Sequence, residues 1–455
     1  MIDLAKKGIF VLACSTTIFA QTSQNYTIEN AWNHLLNHSS GLHASNALVY
    51  EAQKKRSSAK SMYLPDISLN ANYTHMDKPI DIDTSKMASI MASLPIPIPF
   101  PNSVDLSKED IFIADLQMLW PLYTGGKIDA AQDIYAAQLQ ENQAKLQMKK
   151  DEEFITLVKV YYGAVVTKAL YKTRKDAQIR LAYHYEDAQK LFDLGQIAKV
   201  QLLHAKMELE NAKIETKKAQ HQYEILLQTL QILTGIKDFK PQSSLFITKQ
   251  LHDEHYYSEG VKNYKALAVF DAKKKQTQAL VKIKKGDYFP TVMGYGDYNL
   301  YKDDSPLMKS MPNWFIGVVV RINLLQRGDR AQEIQIAKAK KDQVVYLRAE
   351  ALEKLKILTQ KTYKEMLDAI DQYYALQSSL QMAQENYKLR SISFKEGLST
   401  SRDVVDAEVF IESIETKRLN SAYTFVQKFA QLFVLTGQRE AFFTMLRDDT
   451  SLIHL

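Results

Sequence analysis

The sequence predicts a mixed α/β membrane protein made of two copies of one plan, in which hairpins of very long helices alternate with pairs of β-strands. Three observations predict it. Glycines recur at a constant offset of 202 residues, pairing Gly126 with Gly328, Gly195 with Gly397 and Gly235 with Gly437, the mark of an internal duplication. No proline occurs from Lys127 to Gly235 or from Asp329 to Gly437, and proline inside a helix costs ~3 kcal/mol. Between these stretches lie short segments in which apolar and polar residues alternate, the period of a strand with one apolar face.

The first twenty residues read as an export signal: Lys6 and Lys7 give a positive start, Gly8 to Phe19 is mostly apolar, and Ala20 offers a small residue before the cut. The alternative is lipidation at Cys14, since Val11-Leu12-Ala13-Cys14 loosely matches a lipidation box, although its apolar core would run only from Gly8 to Ala13. Cleavage after Ala20 removes the sole cysteine, which excludes disulfides, thiolate metal sites and a cysteine nucleophile. A chain that is 46% hydrophobic and 24% charged can bury a large core. A net charge of +6 is small against 58 basic and 52 acidic residues, and without a long basic block it gives no reason to invoke nucleic acid. Beyond the signal no run of eighteen apolar residues occurs, so no transmembrane helix is expected. An exported chain of this kind is periplasmic, secreted or a β-barrel.

Residues 21–236 form the first repeat. A helix is expected from Ile28 to about Ser61, before the break at Pro65. Ile67, Leu69, Ala71 and Tyr73 then alternate with Ser68, Asn70, Asn72 and Thr74, and Phe112, Ala114, Leu116, Met118 and Trp120 alternate with a set including Asp115 and Gln117. This predicts a hairpin over 66–122. Its loop, Asp77 to Asp110, holds Pro95-Ile96-Pro97-Ile98-Pro99-Phe100-Pro101 and is expected to be extended, polyproline-like and outside the membrane. Gly126 follows the second strand. A long helix then runs to a turn at Asp193-Leu194-Gly195, and a shorter one returns to Leu233-Thr234-Gly235.

Residues 237–262 connect this unit to the second repeat, 263–437. There a helix is expected from about Asn263 to Lys285, after which Tyr288-Phe289-Pro290 echoes Tyr63-Leu64-Pro65. In the hairpin over 290–323, Trp314, Ile316, Val318, Val320 and Ile322 face one way and Phe315, Gly317, Val319, Arg321 and Asn323 the other. The helix from Asp329 to Glu396 would be roughly 100 Å long at 1.5 Å per residue. A coiled-coil seam is expected through Val345, Ala349, Leu352, Thr359, Tyr363, Met366, Ile370, Tyr373 and Leu380, broken by Lys356 and Gln377. After the turn at Lys395-Glu396-Gly397 a shorter helix returns to Leu435-Thr436-Gly437, leaving the tail 438–455.

Each strand is about the 9–11 residues that a tilted membrane strand needs. Four strands cannot close a barrel, and an open edge in lipid costs several kcal/mol for each unpaired backbone group. Membrane strands therefore require a shared barrel: two chains give eight strands, too narrow for a wide lumen, and three give twelve. A water-soluble coiled-coil scaffold without a pore fits the helical pattern equally well.

A duplicated plan of helix, hairpin, long helix and returning helix resembles the TolC family of outer-membrane efflux channels. The likeness covers Ile28 to Gly437. It rests on the Tyr-Leu-Pro and Tyr-Phe-Pro triplets, the strand-to-helix glycines Gly126 and Gly328, the turn glycines Gly195 and Gly397, and the closing Leu-Thr-Gly triplets. The resemblance implies a homotrimer with a twelve-stranded barrel in the outer membrane and a coiled-coil α-barrel tunnel across the periplasm. A belt around its middle would use the Ile236–Val261 connection and the C-terminal tail. It implies docking to a periplasmic adaptor and an inner-membrane transporter of RND or ABC type. Cargo would be drugs and toxic compounds, with metal ions or secreted polypeptides as alternatives. It also places a ring of carboxylates after the second turn, which Asp403 and Asp406 match. Such a ring would favour cations, whereas an acid in a first turn can equally serve the helix dipole, worth ~0.3–1 kcal/mol.

The sequence departs from the family around this turn. Ser399 and Gln201 stand where a gate-locking Arg and its Asp partner are common, and Arg402 lies three residues beyond. Phe394 keeps the aromatic before the turn. His34 with His38, and His252 with His255, each lack the third ligand that a metal site needs. No phosphate loop, zinc-protease pair or nucleophile elbow is present, so neither a cofactor nor an enzyme activity is expected.

Overall fold

The computed structural model describes residues 25–96, 98–324, 328–448 and 452–455. The export signal and Cys14 lie outside the described residues. In chain order the first repeat gives β1 (Asn25–Tyr26), α1 (Ile28–His38), α2 (Ser40–Ala59), β2 (Asp66–His75), β3 (Asp81–Asp83), α3 (Ser85–Ala92), β4 (Ser103–Asp105), β5 (Asp110–Tyr123), α4 (Lys127–Asp193) and α5 (Lys199–Thr234). The connection gives β6 (Lys240–Pro241), β7 (Phe246–Ile247) and α6 (Glu254–Gly260). The second repeat gives α7 (Lys265–Gly286), β8 (Thr291–Lys302), α8 (Pro306–Ser310), β9 (Trp314–Arg321), α9 (Arg330–Lys395) and α10 (Ser401–Leu435). The tail adds α11 (Arg439–Asp448) and β10 (Ile453–His454).

The proline-free stretches are the long helices. At 67 and 66 residues, α4 and α9 each reach about 100 Å. Toward the sheet, α4 packs on α2 and α7; beyond the middle it packs on α5 and α10. The short helices meet end to end: a Cβ on Gly235 would fall 2.7 Å from the His38 ring, and one on Gly437 2.9 Å from the Asn263 carbonyl. α5 thus stops at the junction of α1 and α2, and α10 stops just before α7 begins. One window of α4 is long and apolar enough to cross a membrane by composition, but half of it is buried, so packing accounts for it.

That burial is the molecule's main core. Phe154, Tyr161, Tyr162, Phe246, Phe425, Phe429 and Phe442 are buried together midway along the long helices. The connection and the tail close over them, as β6 pairs with β1 in parallel and β10 with β7 antiparallel. The buried Tyr161 hydroxyl donates to the Tyr26 carbonyl (2.7 Å) and accepts from the Gln242 and Ser243 N–H groups, so this small belt leaves no polar cost there.

Three expectations need correction. The helix over 28–61 is two helices, because Ser39 ends one and its Oγ accepts from Leu42 N–H (3.3 Å) to start the next. The long loop is not uniformly extended: β3 pairs with β4 around α3, while the described residues of the proline run lie in neither helix nor strand. The seam on α9 is buried at Thr359, Met366, Ile370, Tyr373 and Leu380, whereas Val345 and Ala349 are exposed. Within one chain, α10 covers only the distal part of α9.

Candidate functional site

Two ends of the molecule carry candidate function. At one end, β2, β5, β8 and β9 form an antiparallel sheet in that order. Its register aligns the alternation across strands: Ile67, Met118, Gly296 and Ile316 lie in one row, and Leu69, Leu116, Tyr298 and Trp314 in another. These rows make one continuous apolar face, with Leu69 66% and Ile316 69% exposed. The opposite face holds Ser68, Asn70, Asp115, Gln117, Asp297 and Asn299, with Asn70 Nδ2 donating to Asp115 (3.0 Å). Among the described residues, nothing pairs with the outer sides of β2 and β9. A sheet wet on one face and apolar on the other, with two open edges, belongs in a shared barrel.

At the far end lie the two helix turns. Both end in the same hydrogen-bond pattern. Gly195 N–H donates to the Phe192 carbonyl and Gln196 N–H to Leu191; Gly397 N–H donates to Phe394 and Leu398 N–H to Ser393. Both glycines have φ of +74°, which L-residues adopt only at a cost. Gly126 (φ +75°) and Gly328 (φ +95°) supply the same left-handed step from strand to long helix.

The structure gathers the sequence-derived tip residues around the second turn. Thr400 caps α10 and Asp403 reaches back: Asp403 Oδ2 accepts from Thr400 N–H (2.9 Å), Thr400 Oγ1 (2.7 Å) and Ser399 Oγ (3.1 Å), a capping box. The Thr400 hydroxyl and N–H groups hold its carboxyl below the ordinary range. Arg390 stands 3.8 Å away. Asp406 is exposed one turn on and pairs only loosely with Arg402, at 3.7 Å. Gln201 Oε1 accepts from Ser401 N–H (3.3 Å), joining the two turns by a neutral bond. Phe394 is buried among Ala188, Ala205 and Val404, against His184.

Sequence reasoning missed the buried polar ties behind the turns. Arg180 on α4 grips Glu408 on α10 with two bonds of 2.7 Å, and the Glu408 side chain is 1% exposed. Burial pushes that carboxyl up, opposed by the guanidinium. Arg174 stands between Glu215 and Glu412. His184 Nε2 meets Ser401 Oγ at 2.8 Å, and burial holds the imidazole down to about 4. Lys395 pairs with Asp187 at 3.0 Å. The spacing of Glu408, Glu412 and Glu415 at four and three residues was a visible signal of one acidic helix face; the partners, more than two hundred residues away in sequence, were not visible.

Comparison with known proteins agrees with this geometry. The family model for outer membrane efflux proteins matches residues 32–236 and 257–438. Among solved structures, the chain is similar to the CmeC outer membrane channel of Campylobacter jejuni (16% identity, 92% of this chain and 88% of that one, TM-score 0.74). It is also similar to the outer membrane protein VceC of Vibrio cholerae (16%, 90% and 96%, TM-score 0.70). The open-state MtrE outer membrane channel of Neisseria gonorrhoeae is a third (15%, 90% and 89%, TM-score 0.70). A search of curated proteins finds no match. The chain belongs to the outer membrane efflux protein family, whose members are trimeric bacterial outer-membrane channels that extend into the periplasm and work with an adaptor and an inner-membrane pump.

Proposed function

We propose that this channel is the passive exit duct for small toxic compounds, drugs among them, delivered by an RND or ABC type pump through its adaptor, and that Asp403 and Asp406 line its periplasmic constriction. The observation that carries the reading is the joining of ~100 Å helices to a four-stranded sheet with two open edges, the dimensions of a conduit that starts in the periplasm and ends in a shared barrel. The carboxylate assignment draws on Asp406, which is exposed and only weakly paired, and on Asp403, kept ionised by its capping bonds. Three copies around the axis would concentrate negative charge where the tunnel narrows, favouring cations.

The test is reconstitution of the trimer in planar bilayers under a salt gradient. Asp406→Asn combined with Asp403→Asn is expected to lower cation preference and weaken block by polycations. Unchanged selectivity removes the carboxylates from the constriction. Deletion of the chain in its host is expected to lower resistance to a panel of drugs and detergents, and unaltered susceptibility would overturn the cargo assignment.

A further inference from the structure

We propose that the segment from Asp77 to Asp110 is a self-associating outer cap: in the trimer, the exposed apolar side chains of its three copies pack on one another across the barrel mouth and close it to bulky solutes. The inference rests on the shared barrel of the family and is independent of the tip carboxylates. The segment sits at the outer end of the sheet. The other end of the sheet meets the helical part, with Trp120 Nε1 of β5 donating to the carbonyl of Tyr63 (2.9 Å) in the turn that follows α2.

The cap is built. Leu307 N–H donates to the Leu106 carbonyl (2.9 Å) and Lys108 pairs with Asp304, tying the two loops of the outer end together, and within the segment Ile80 N–H donates to Ser107 Oγ (2.8 Å). Ser305 and Met308, on either side of Leu307, are buried. Yet the segment exposes apolar side chains. Ile96 is 80% exposed and Ile90 59%, with Ile82, Met87, Ile98 and Phe100 also exposed. From Thr84 to Val104 the only charged residue is Lys86. A water-facing loop does not ordinarily gather so much apolar surface unless something covers it.

The occupant is a second and third copy of the same segment. An anionic lipid surface is met by clusters of basic side chains, and the stretch from Thr84 to Val104 holds a single basic residue, Lys86. Continuity points to the neighbouring protomer. Strand β2 is an edge of the sheet, so its outer side takes the β9 strand of the next chain when the barrel closes. The segment leaves β2 at once, with Met76 N–H donating to the Glu109 carbonyl (2.8 Å). It therefore continues the interprotomer seam beyond the strands, where three apolar surfaces converge on the axis and bury one another.

Two measurements on the intact trimer in cells test this. Ile90→Cys and Ile96→Cys, in a chain whose only native cysteine is Cys14, are expected to give covalent dimers on oxidation; the parent chain gives none. Separately, Asn72→Cys on the polar face of β2 is labelled from outside with a polyethylene-glycol maleimide. Ile90→Asp with Ile96→Asp is expected to speed that labelling at least tenfold while leaving a small maleimide's rate unchanged. Absence of interprotomer links in intact trimers, a bulky-label rate indifferent to the added charge, or labelling of the loop by a lipid-dissolved carbene probe would each overturn the cap.

Discussion

At the residue scale, the tip separates groups that hold structure from groups free to meet a solute. Asp403 commits one oxygen, Oδ2, to Thr400 and Ser399 and leaves Oδ1 toward Arg390 at 3.8 Å, whereas Asp406 is exposed beside Arg402. Asp403→Asn is therefore expected to weaken the start of α10 by about 0.3–1.5 kcal/mol, read as faster amide exchange there, while Asp406→Asn leaves exchange unchanged. Behind them, Arg180→Ala strands the Glu408 carboxylate in a dry site, a loss of about 3–5 kcal/mol. Proteolysis at the tip is expected to rise accordingly, and replacing both partners by methionine is expected to restore resistance.

His184 makes the same region sensitive to acid. Its imidazole titrates near 6.5 when free and at about 4 in place, because burial disfavours the charged form; Asp187 opposes this and His204 adds to it. Between those values a locally unfolded tip binds a proton that the folded tip does not. The folded tip is thus fully stable above the free value and weakens as pH falls toward the folded one, by roughly 3 kcal/mol in all. Amide exchange across the Ser401 turn is expected to quicken from pH 6.5 downward. His184→Gln is expected to flatten that profile, and a profile unaffected by the substitution would assign the acid response elsewhere.

At the element scale, position decides what a glycine tolerates. Gly125 and Gly126 both take positive φ. A Cβ at Gly125 would lie 2.7 Å from the Gly286 carbonyl, whereas one at Gly126 meets nothing within 4 Å. Gly126→Ala is expected to cost about 1–2 kcal/mol for the left-handed backbone alone. Gly125→Ala adds a backbone clash and is expected to lower trimer melting further. Equal melting temperatures for the two variants would refute that packing argument.

At the scale of the whole molecule, the sheet's two faces have opposite solvents. Val318 lies mid-strand on the apolar face, in the row of Trp120 and Gly294, while Phe315 shares the row of Gln117 and Asp297. Val318→Arg is expected to cost about 2–4 kcal/mol in the bilayer, lost as heat-resistant trimer on a denaturing gel. Phe315→Arg is expected to leave the trimer intact. If both variants assembled equally, the apolar face would not be the lipid face.

Much of this was written in the chain itself. The glycine offset, the proline-free stretches and the alternating segments are local or periodic features, and backbone sterics and side-chain period translate them directly into long helices, Schellman turns and strands. Four strands with nothing to close them also require partners, on the strength of the strand count alone. Tertiary structure alone decided the rest. The Ser39 break depended on competition between neighbouring caps, and the exposed stretch of the α9 seam depended on which helix lies beside it. The pairs Arg180 with Glu408 and His184 with Ser401 join residues more than two hundred positions apart, and no local pattern specifies which distant charge a fold will bury against another.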